Sequence, residues 1–121
     1  MEKYDLIIVG AGPAGIFTAV ELLRHGSKKK MLLVEKGKPV EKRHCPKAEV
    51  GHCVNCRPTC AITTGFSGAG AFSDGKLSLS YEVGGDLPTI IGEEFAQELI
   101  DYTDKIYLEF GADPHVEGIY T

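Results

Sequence analysis

The chain has 121 residues, of which 43% are hydrophobic and 25% are charged, and its formal net charge is −4. These values are typical of one small globular domain. A negative chain without a basic face that carries aromatic residues is not expected to bind nucleic acid. No apolar run is long enough for a membrane span, and the N-terminus lacks a signal-peptide pattern, so we expect a cytoplasmic protein.

The first 37 residues have the pattern of a strand, a glycine turn, a helix and a second strand. An apolar run over 4–9 predicts a buried parallel strand. Apolar residues then recur at helical spacing, which predicts a helix over 12–25 that ends at Gly26. A second apolar run over 31–34 predicts the next strand, and Glu35 closes it.

The turn between the first strand and the helix carries the G-x-G-x-x-G pattern of dinucleotide-binding proteins. Gly10 permits a tight turn, Gly12 leaves the backbone open to a pyrophosphate, and Gly15 lets the helix pack closely on the sheet. Free N–H groups and the positive end of the helix dipole would face the phosphates. Pro13 is tolerated there, because an N–H in the first turn has no partner within the helix.

Glu35 follows Gly15 by twenty positions, which is typical of the acid that binds a ribose in such proteins. Its carboxylate offers two acceptor oxygens to the ribose hydroxyls. The same negative charge would repel a 2′-phosphate, which argues against NADP. A strand before the motif, a helix after it and the spaced acid together favour a dinucleotide site over glycines that serve only for packing.

All four cysteines fall within a predicted cysteine-rich loop over 41–62, with the spacing C-x7-C-x2-C-x3-C: Cys45, Cys53, Cys56 and Cys60. Four thiolates can hold zinc tetrahedrally or bind an iron–sulfur cluster, and clustered cysteines in a cytosolic chain favour metal or redox chemistry over disulfides. A redox-active dithiol at Cys53 and Cys56 and ordinary thiols are the alternatives. His44 and His52 flank the cluster, but we do not choose them as ligands.

A glycine-rich loop begins at Thr63, and alternating polar and apolar residues over 76–81 predict a half-exposed strand after it. An amphipathic helix is predicted over 92–110, and another strand over 115–120. The apolar face of that helix comprises Phe95, Leu99, Tyr102, Ile106 and Phe110. A doubly wound sheet needs about five or six strands, so this chain should expose a sheet edge and an apolar face.

The chain resembles the N-terminal part of two-domain FAD-dependent oxidoreductases of the glutathione-reductase type. More narrowly, it is similar to the bacterial and archaeal group known as uncharacterised FAD-dependent dehydrogenases. The resemblance rests on residues 4–15 and 34–37, on the cysteine loop and on residues 68–77. It implies an α/β fold with a Rossmann-like FAD/NAD(P)-binding βαβ unit and an incomplete doubly wound parallel sheet.

The resemblance also implies FAD as the cofactor, with Glu35 at the adenosine ribose and Arg43 near the pyrophosphate. The neighbouring Lys36 is included among the cofactor-binding residues. The later glycine loop would approach the pyrophosphate and the flavin ring. The remaining cofactor-binding residues that the resemblance implies lie in the first turn and in that loop: Gly10, Gly12, Pro13, Ala14, Gly15, Gly68, Gly70, Ser73 and Asp74.

Members of this family run several hundred residues, so residues 1–121 would be the N-terminal portion of one FAD-binding domain, completed by a C-terminal part or a partner subunit. We predict a flavin-dependent oxidoreductase whose catalytic residues and small-molecule substrate or electron donor are unknown, and we expect this chain alone not to be competent. One alternative is a non-catalytic module that binds a metal or nucleotide and uses the cysteine loop. Another is an NAD-dependent dehydrogenase, which Pro13, Ala14 and the later glycine loop disfavour.

Overall fold

The computed structural model describes residues 1–118 and divides into two compact units, with the boundary after Gly75. The first unit contains a strand β1 (Leu6–Val9), a helix α1 (Pro13–Arg24), a strand β2 (Met31–Val34) and a short helix α2 (Lys47–Val50), with 3₁₀ turns at Val40–Lys42 and Ala69–Phe72. The second unit contains two helices, α3 (Leu87–Ile91) and α4 (Glu93–Glu109).

The two strands of the first unit pair in parallel, with Leu6 opposite Met31 and Val9 opposite Val34. Helix α1 connects them, so the predicted strand–helix–strand order and the α/β class are confirmed. The second strand has the predicted bounds, whereas the first begins at Leu6 rather than at residue 4. Helix α1 ends as predicted, because Gly26 has a φ of 77° and its N–H donates to the carbonyl of Leu23 at 3.0 Å.

One side of this small sheet is covered by α1 and the other is open. Leu6 and Ile8 are partly buried, whereas Ile7 is 56% exposed and Val9 is 85% exposed. Among residues 1–118, the buried hydrophobic side chains are Ala11, Ala96 and Ile106. The described part of the chain therefore has little core of its own.

The strand predicted over 76–81 is wrong, since this segment of the second unit has no regular structure. Its backbone hydrogen bonds go to a side chain of α4 rather than to a neighbouring strand. The amide nitrogen of Gln97 donates to the carbonyl of Leu79 at 2.9 Å, and its amide oxygen accepts from the N–H of Tyr81 at 3.3 Å. One helical side chain thus replaces the partner strand that the alternation had suggested.

The long helix predicted over 92–110 is present as α4, but a separate short helix, α3, precedes it. Gly92 divides the two with a φ of 89°, a conformation that a helix cannot continue through. On the predicted apolar face Ile106 is 3% exposed, whereas Phe110 is 77% exposed.

The strand predicted over 115–120 is not formed over 115–118, and its last residues lie outside the described part of the chain.

Across residues 1–118, no helix combines the length and the apolar character that crossing a bilayer would require.

Candidate dinucleotide site and cysteine cleft

The turn that joins β1 to α1 is built by glycines with different tasks. Gly10 has a φ of 103°, and its N–H donates to the carbonyl of Val34 at 2.7 Å, which extends the strand pairing by one residue. Gly12 precedes the helix in an extended conformation, and α1 begins at Pro13. No side chain caps this helix N-terminus, and its first turn contains no acid. The positive end of α1 is therefore left for another anionic or acceptor group.

Glu35 supplies a carboxylate beside this turn. Its Oε2 accepts a hydrogen bond from the N–H of Ala11 at 2.9 Å, and its Oε1 accepts one from the N–H of Gly37 at 2.8 Å. These two backbone hydrogen bonds hold the pKa of Glu35 below its ordinary value of 4.5, and the bond from Ala11 has the larger effect. Each carboxylate oxygen can accept a further hydrogen bond, so the partly buried group is fixed in place and still able to bind hydroxyls.

Two glycines of the motif differ in what a side chain would meet. A Cβ atom on Gly15 would lie 1.9 Å from the carbonyl oxygen of Gly10, because α1 packs directly on the end of β1. A Cβ atom on Gly12 would make only an ordinary contact of 3.9 Å, with the Cα of Gly68. Gly15 is therefore required by the fold itself, whereas Gly12 is not.

The glycine-rich loop reaches the same turn. The N–H of Ser67 donates to the carbonyl of Ala11 at 2.8 Å, and Gly68 lies against Gly12 and Pro13. Of the loop residues predicted to bind the cofactor, Gly68 is thus at the turn. The others are exposed, and Ser73 Oγ donates to the carbonyl of Gly70 at 2.8 Å. Asp74 is exposed as well.

Arg43 is the buried charge of this unit, with 6% of the residue exposed. Its Nη1 donates to the carbonyls of Phe66 at 2.7 Å and Gly68 at 2.8 Å, and its Nη2 donates to the carbonyl of Ile62. The guanidinium carbon lies 4.9 Å from the centre of the Phe72 ring. In this structure Arg43 therefore binds the glycine-rich loop and fixes its path, rather than presenting a free guanidinium to a pyrophosphate.

Sequence reasoning missed the contact between Gly37 and Gly65, which holds the loop against the end of β2. A Cβ atom on Gly37 would lie 2.4 Å from the Cα of Gly65, and one on Gly65 would lie 2.6 Å from the Cδ of Arg43. The N–H of Phe66 donates to the carbonyl of Lys38 at 3.1 Å beside this contact. The sequence does not reveal this contact, because no local pattern indicates which distant residue a glycine must accommodate.

The four cysteines line one cleft of about 310 Å³, and all are free thiols. The N–H of Asn55 donates to Cys53 Sγ at 3.4 Å. The hydroxyl and the N–H of Thr63, together with the N–H of Ile62, hydrogen-bond Cys60 and hold the pKa of its thiol below the ordinary value. Among residues 1–118, no group of three or more Cys, His, Asp or Glu side chains is arranged to hold a metal ion. The predicted metal ligands therefore share a cleft without meeting at one point.

The two histidines beside the cysteines have other partners. His44 Nε2 lies 2.9 Å from Glu49 Oε1. His52 Nδ1 donates to the carbonyl of Val50 at 3.1 Å. Both rings are thus engaged within residues 44–52, and neither lines the cysteine cleft.

Comparison with known proteins places the similarity in the N-terminal part of the chain. Residues 3–56 match the FAD binding domain family. Over 72 residues, or 60% of the chain, the sequence is 40% identical to an uncharacterized protein of Clostridium beijerinckii. Over 37 residues, or 31% of the chain, it is 51% identical to the "Putative FAD-dependent oxidoreductase LodB" of Marinomonas mediterranea. No solved structure is significantly similar to the chain.

These alignments span 13% and 10% of the lengths of the two relatives. The family match includes β1, α1, β2 and Glu35, which are the parts that form the candidate site. Together, the family match and the second relative support a flavin-binding role for the part of the chain that contains the candidate site.

Proposed function

We propose that this chain is the FAD-binding portion of a cytoplasmic flavin-dependent oxidoreductase of the glutathione-reductase type, and that residues 1–37 form its Rossmann-like unit. The observation that carries the proposal is the position of the Glu35 carboxylate, held 2.9 Å from the N–H of Ala11 beside an uncapped helix N-terminus. That arrangement provides acceptors for a ribose and donors for a pyrophosphate within one short turn. The FAD binding domain match over residues 3–56 supports the same ligand.

The residues present fit this cofactor. The pyrophosphate would lie over the turn, in contact with Gly10, Gly12, Pro13, Ala14 and Gly15. The ribose would bind Glu35, with the exposed Lys36 beside it. Gly68 would border the pyrophosphate from the other side, because the loop already contacts the turn.

Further along the glycine-rich loop, Gly70, Ser73 and Asp74 would extend toward the flavin ring. Their exposure leaves them accessible to a ligand. Arg43 would act as a positioning residue, since its guanidinium holds the carbonyls of Phe66 and Gly68. When bound, FAD supplies the redox chemistry, while the chain's own residues bind and orient it.

The chain spans a small share of its relatives, so we assign no catalytic acid or base to it. We propose that the substrate or electron-donor site is formed with the rest of the domain or with a partner subunit. The open side of the sheet, where Ile7 and Val9 are exposed, is where such a part would cover apolar surface.

The two alternative functions predict different bound ligands. An NAD-dependent dehydrogenase would use the same turn and the same Glu35 but would bind nicotinamide dinucleotide in preference to FAD. A non-catalytic module would bind a metal or nucleotide and show no flavin. Bound flavin, identified by absorbance and mass, separates the first proposal from both.

The test is a titration of the purified protein with FAD, followed by the change in flavin fluorescence. Glu35→Gln should weaken FAD binding about tenfold or more, because it removes a charged acceptor from the ribose and from the N–H of Ala11. Glu41→Gln is the matched control, since Glu41 is exposed and lies outside the candidate site. Equal FAD affinity in the wild type and in Glu35→Gln would overturn the assignment of the ribose to Glu35.

A further inference from the structure

We propose that the cysteine cleft, formed by Cys45, Cys53, Cys56 and Cys60, binds one zinc ion through four thiolates, and that the bound zinc holds the glycine-rich loop in the position that favours FAD. The proposal of a zinc site depends only on the residues of the cleft. The effect on FAD rests on the proposed function of the first turn.

Two sulfur atoms of the cleft receive hydrogen bonds from backbone N–H groups, the kind of contact that orients metal ligands. Cys53 Sγ accepts a hydrogen bond from the N–H of the residue two positions later, Asn55, at 3.4 Å. Cys60 is bonded in the same way by the N–H of Ile62, and additionally by Thr63. Backbone N–H groups directed at sulfur orient the ligands of thiolate–metal sites and lower their charge density.

The ligand set favours zinc. His44 and His52 are paired with Glu49 and with the carbonyl of Val50, so sulfur is the donor atom that the cleft offers. Four thiolates around one zinc carry a net charge of about −2, and Lys47 and Arg57 line the same cleft and would offset that charge. A set of four sulfur donors selects zinc or iron–sulfur chemistry over hard cations such as magnesium.

Metal binding must draw the sulfur atoms together, because the thiols surround the cleft without converging on one point. Cys53 and Cys56 belong to one C-x2-C turn, whose two sulfurs can reach the same ion. Cys45 and Cys60 approach from either end of the loop. Closing the loop around an ion would therefore fix residues 45–60 as one unit.

A continuous set of contacts leads from this unit to the first turn. The carbonyl of Cys60 accepts from the N–H of Thr64 at 3.2 Å, and the carbonyl of Ile62 accepts from the Arg43 guanidinium. The same guanidinium donates to the carbonyl of Gly68 at 2.8 Å, and Gly68 lies against Gly12. Fixing Cys60 would thus restrict the loop that borders the pyrophosphate position.

The first experiment measures zinc in the reduced, purified protein by elemental analysis and by competition with a chromophoric zinc chelator. We expect about one zinc per chain in the wild type and in the control His52→Gln, and a substantial loss in Cys56→Ser. If Cys56→Ser does not fold, thiol modification of the wild type gives the answer instead. All four thiols should react without zinc, and zinc should protect all four.

Replacement of zinc by cobalt reports the geometry directly. Four thiolates around cobalt give intense sulfur-to-metal charge-transfer absorption and the visible bands of a tetrahedral ion. Failure of the wild type to bind zinc or cobalt, or the recovery of iron with sulfide instead of zinc, would overturn the zinc site. Equal zinc binding by Cys56→Ser and the wild type would overturn it as well.

The second experiment titrates FAD into the zinc-loaded protein and into the protein freed of zinc by a chelator. We expect about tenfold weaker FAD binding without zinc, and recovery when zinc is returned. Equal FAD affinity in both forms would overturn the coupling. Stoichiometric zinc in a protein that never binds FAD would refute the proposed function and leave the zinc site standing, so the two failures are distinguishable.

Discussion

The Glu35 carboxylate accepts a hydrogen bond from the N–H of Ala11 at 2.9 Å, although the two residues are 24 positions apart in sequence. The parallel pairing of β1 with β2 places the residue that follows each strand at the same edge of the sheet, so the acid and the turn meet there. A second bond, from the N–H of Gly37 at 2.8 Å, fixes the other carboxylate oxygen. Both oxygens of the side chain are therefore held by the protein's own backbone, and such preorganisation reduces the entropic cost of binding.

The hydrogen bonds to Glu35 predict a specific dependence of stability on pH. The N–H of Ala11, and then that of Gly37, lower the pKa of Glu35 in the folded protein from its ordinary value of 4.5. The ionised carboxylate therefore adds stability that is fully present above that ordinary value and is lost as the pH falls through the lower folded value. Urea unfolding of the wild type and Glu35→Gln between pH 7 and pH 3 should show a stability difference that shrinks toward acid pH. A difference that stays constant over this range would contradict the assignment.

Gly12 and Gly15 allow folding to be separated from binding by the same substitution at two positions. Gly15→Ala places a Cβ atom 1.9 Å from the carbonyl oxygen of Gly10, so it should lower the free energy of unfolding by about 1–3 kcal/mol or more despite the better helix propensity of alanine. Gly12→Ala meets only an ordinary contact, and its φ of −79° suits alanine, so the protein should keep its stability. FAD affinity should nevertheless fall, because the methyl group would stand where the pyrophosphate approaches. Thermal unfolding and FAD titration of both variants check this, and tight FAD binding by Gly12→Ala would count against the pyrophosphate position.

The elements that could be predicted from the sequence are those whose cause is local. The apolar run before Gly10 and the run that ends at Glu35 each need only a few neighbouring residues to form a strand, and Gly26 ends α1 by its own backbone freedom. The spacing between Gly15 and Glu35 reflects the length of one helix and one strand. The position of Glu35 beside the turn could therefore be predicted from the sequence as well.

The remaining features depend on contacts between distant residues. Arg43 is buried because carbonyls more than 18 positions away, such as that of Ile62 at a separation of 19, collect around its guanidinium. The alternation over 76–81 suggested a strand, but Gln97 of α4 supplies the bonds to that backbone. No periodicity or motif in the sequence predicts either contact. Each is made by one side chain that meets a distant backbone segment only after folding.

Arg43 should contribute strongly to the stability of the first unit. Arg43→Ala would leave the partly buried carbonyls of Ile62, Phe66 and Gly68 without their donor, and should lower the free energy of unfolding by about 3 kcal/mol. Lys42→Ala is the matched control, because Lys42 is the neighbouring cation and is exposed. Urea unfolding of the two variants measures the contrast. Equal stability in both would mean that the guanidinium does not hold the loop.

Gln97 should hold the segment before α3 in the second unit. Its amide accepts from the N–H of Tyr81 at 3.3 Å and donates to the carbonyl of Leu79 at 2.9 Å, so Gln97→Ala removes both backbone bonds while leaving α4 with a good helix former. Amide hydrogen exchange should become faster at Tyr81 in this variant and stay unchanged in the middle of α4, because one hydrogen bond of about 1 kcal/mol sets the local opening. Glu98→Ala is the control, since Glu98 is the adjacent exposed residue of the same helix. If exchange at Tyr81 responded equally to both substitutions, the helix as a whole rather than the Gln97 amide would be ordering this segment.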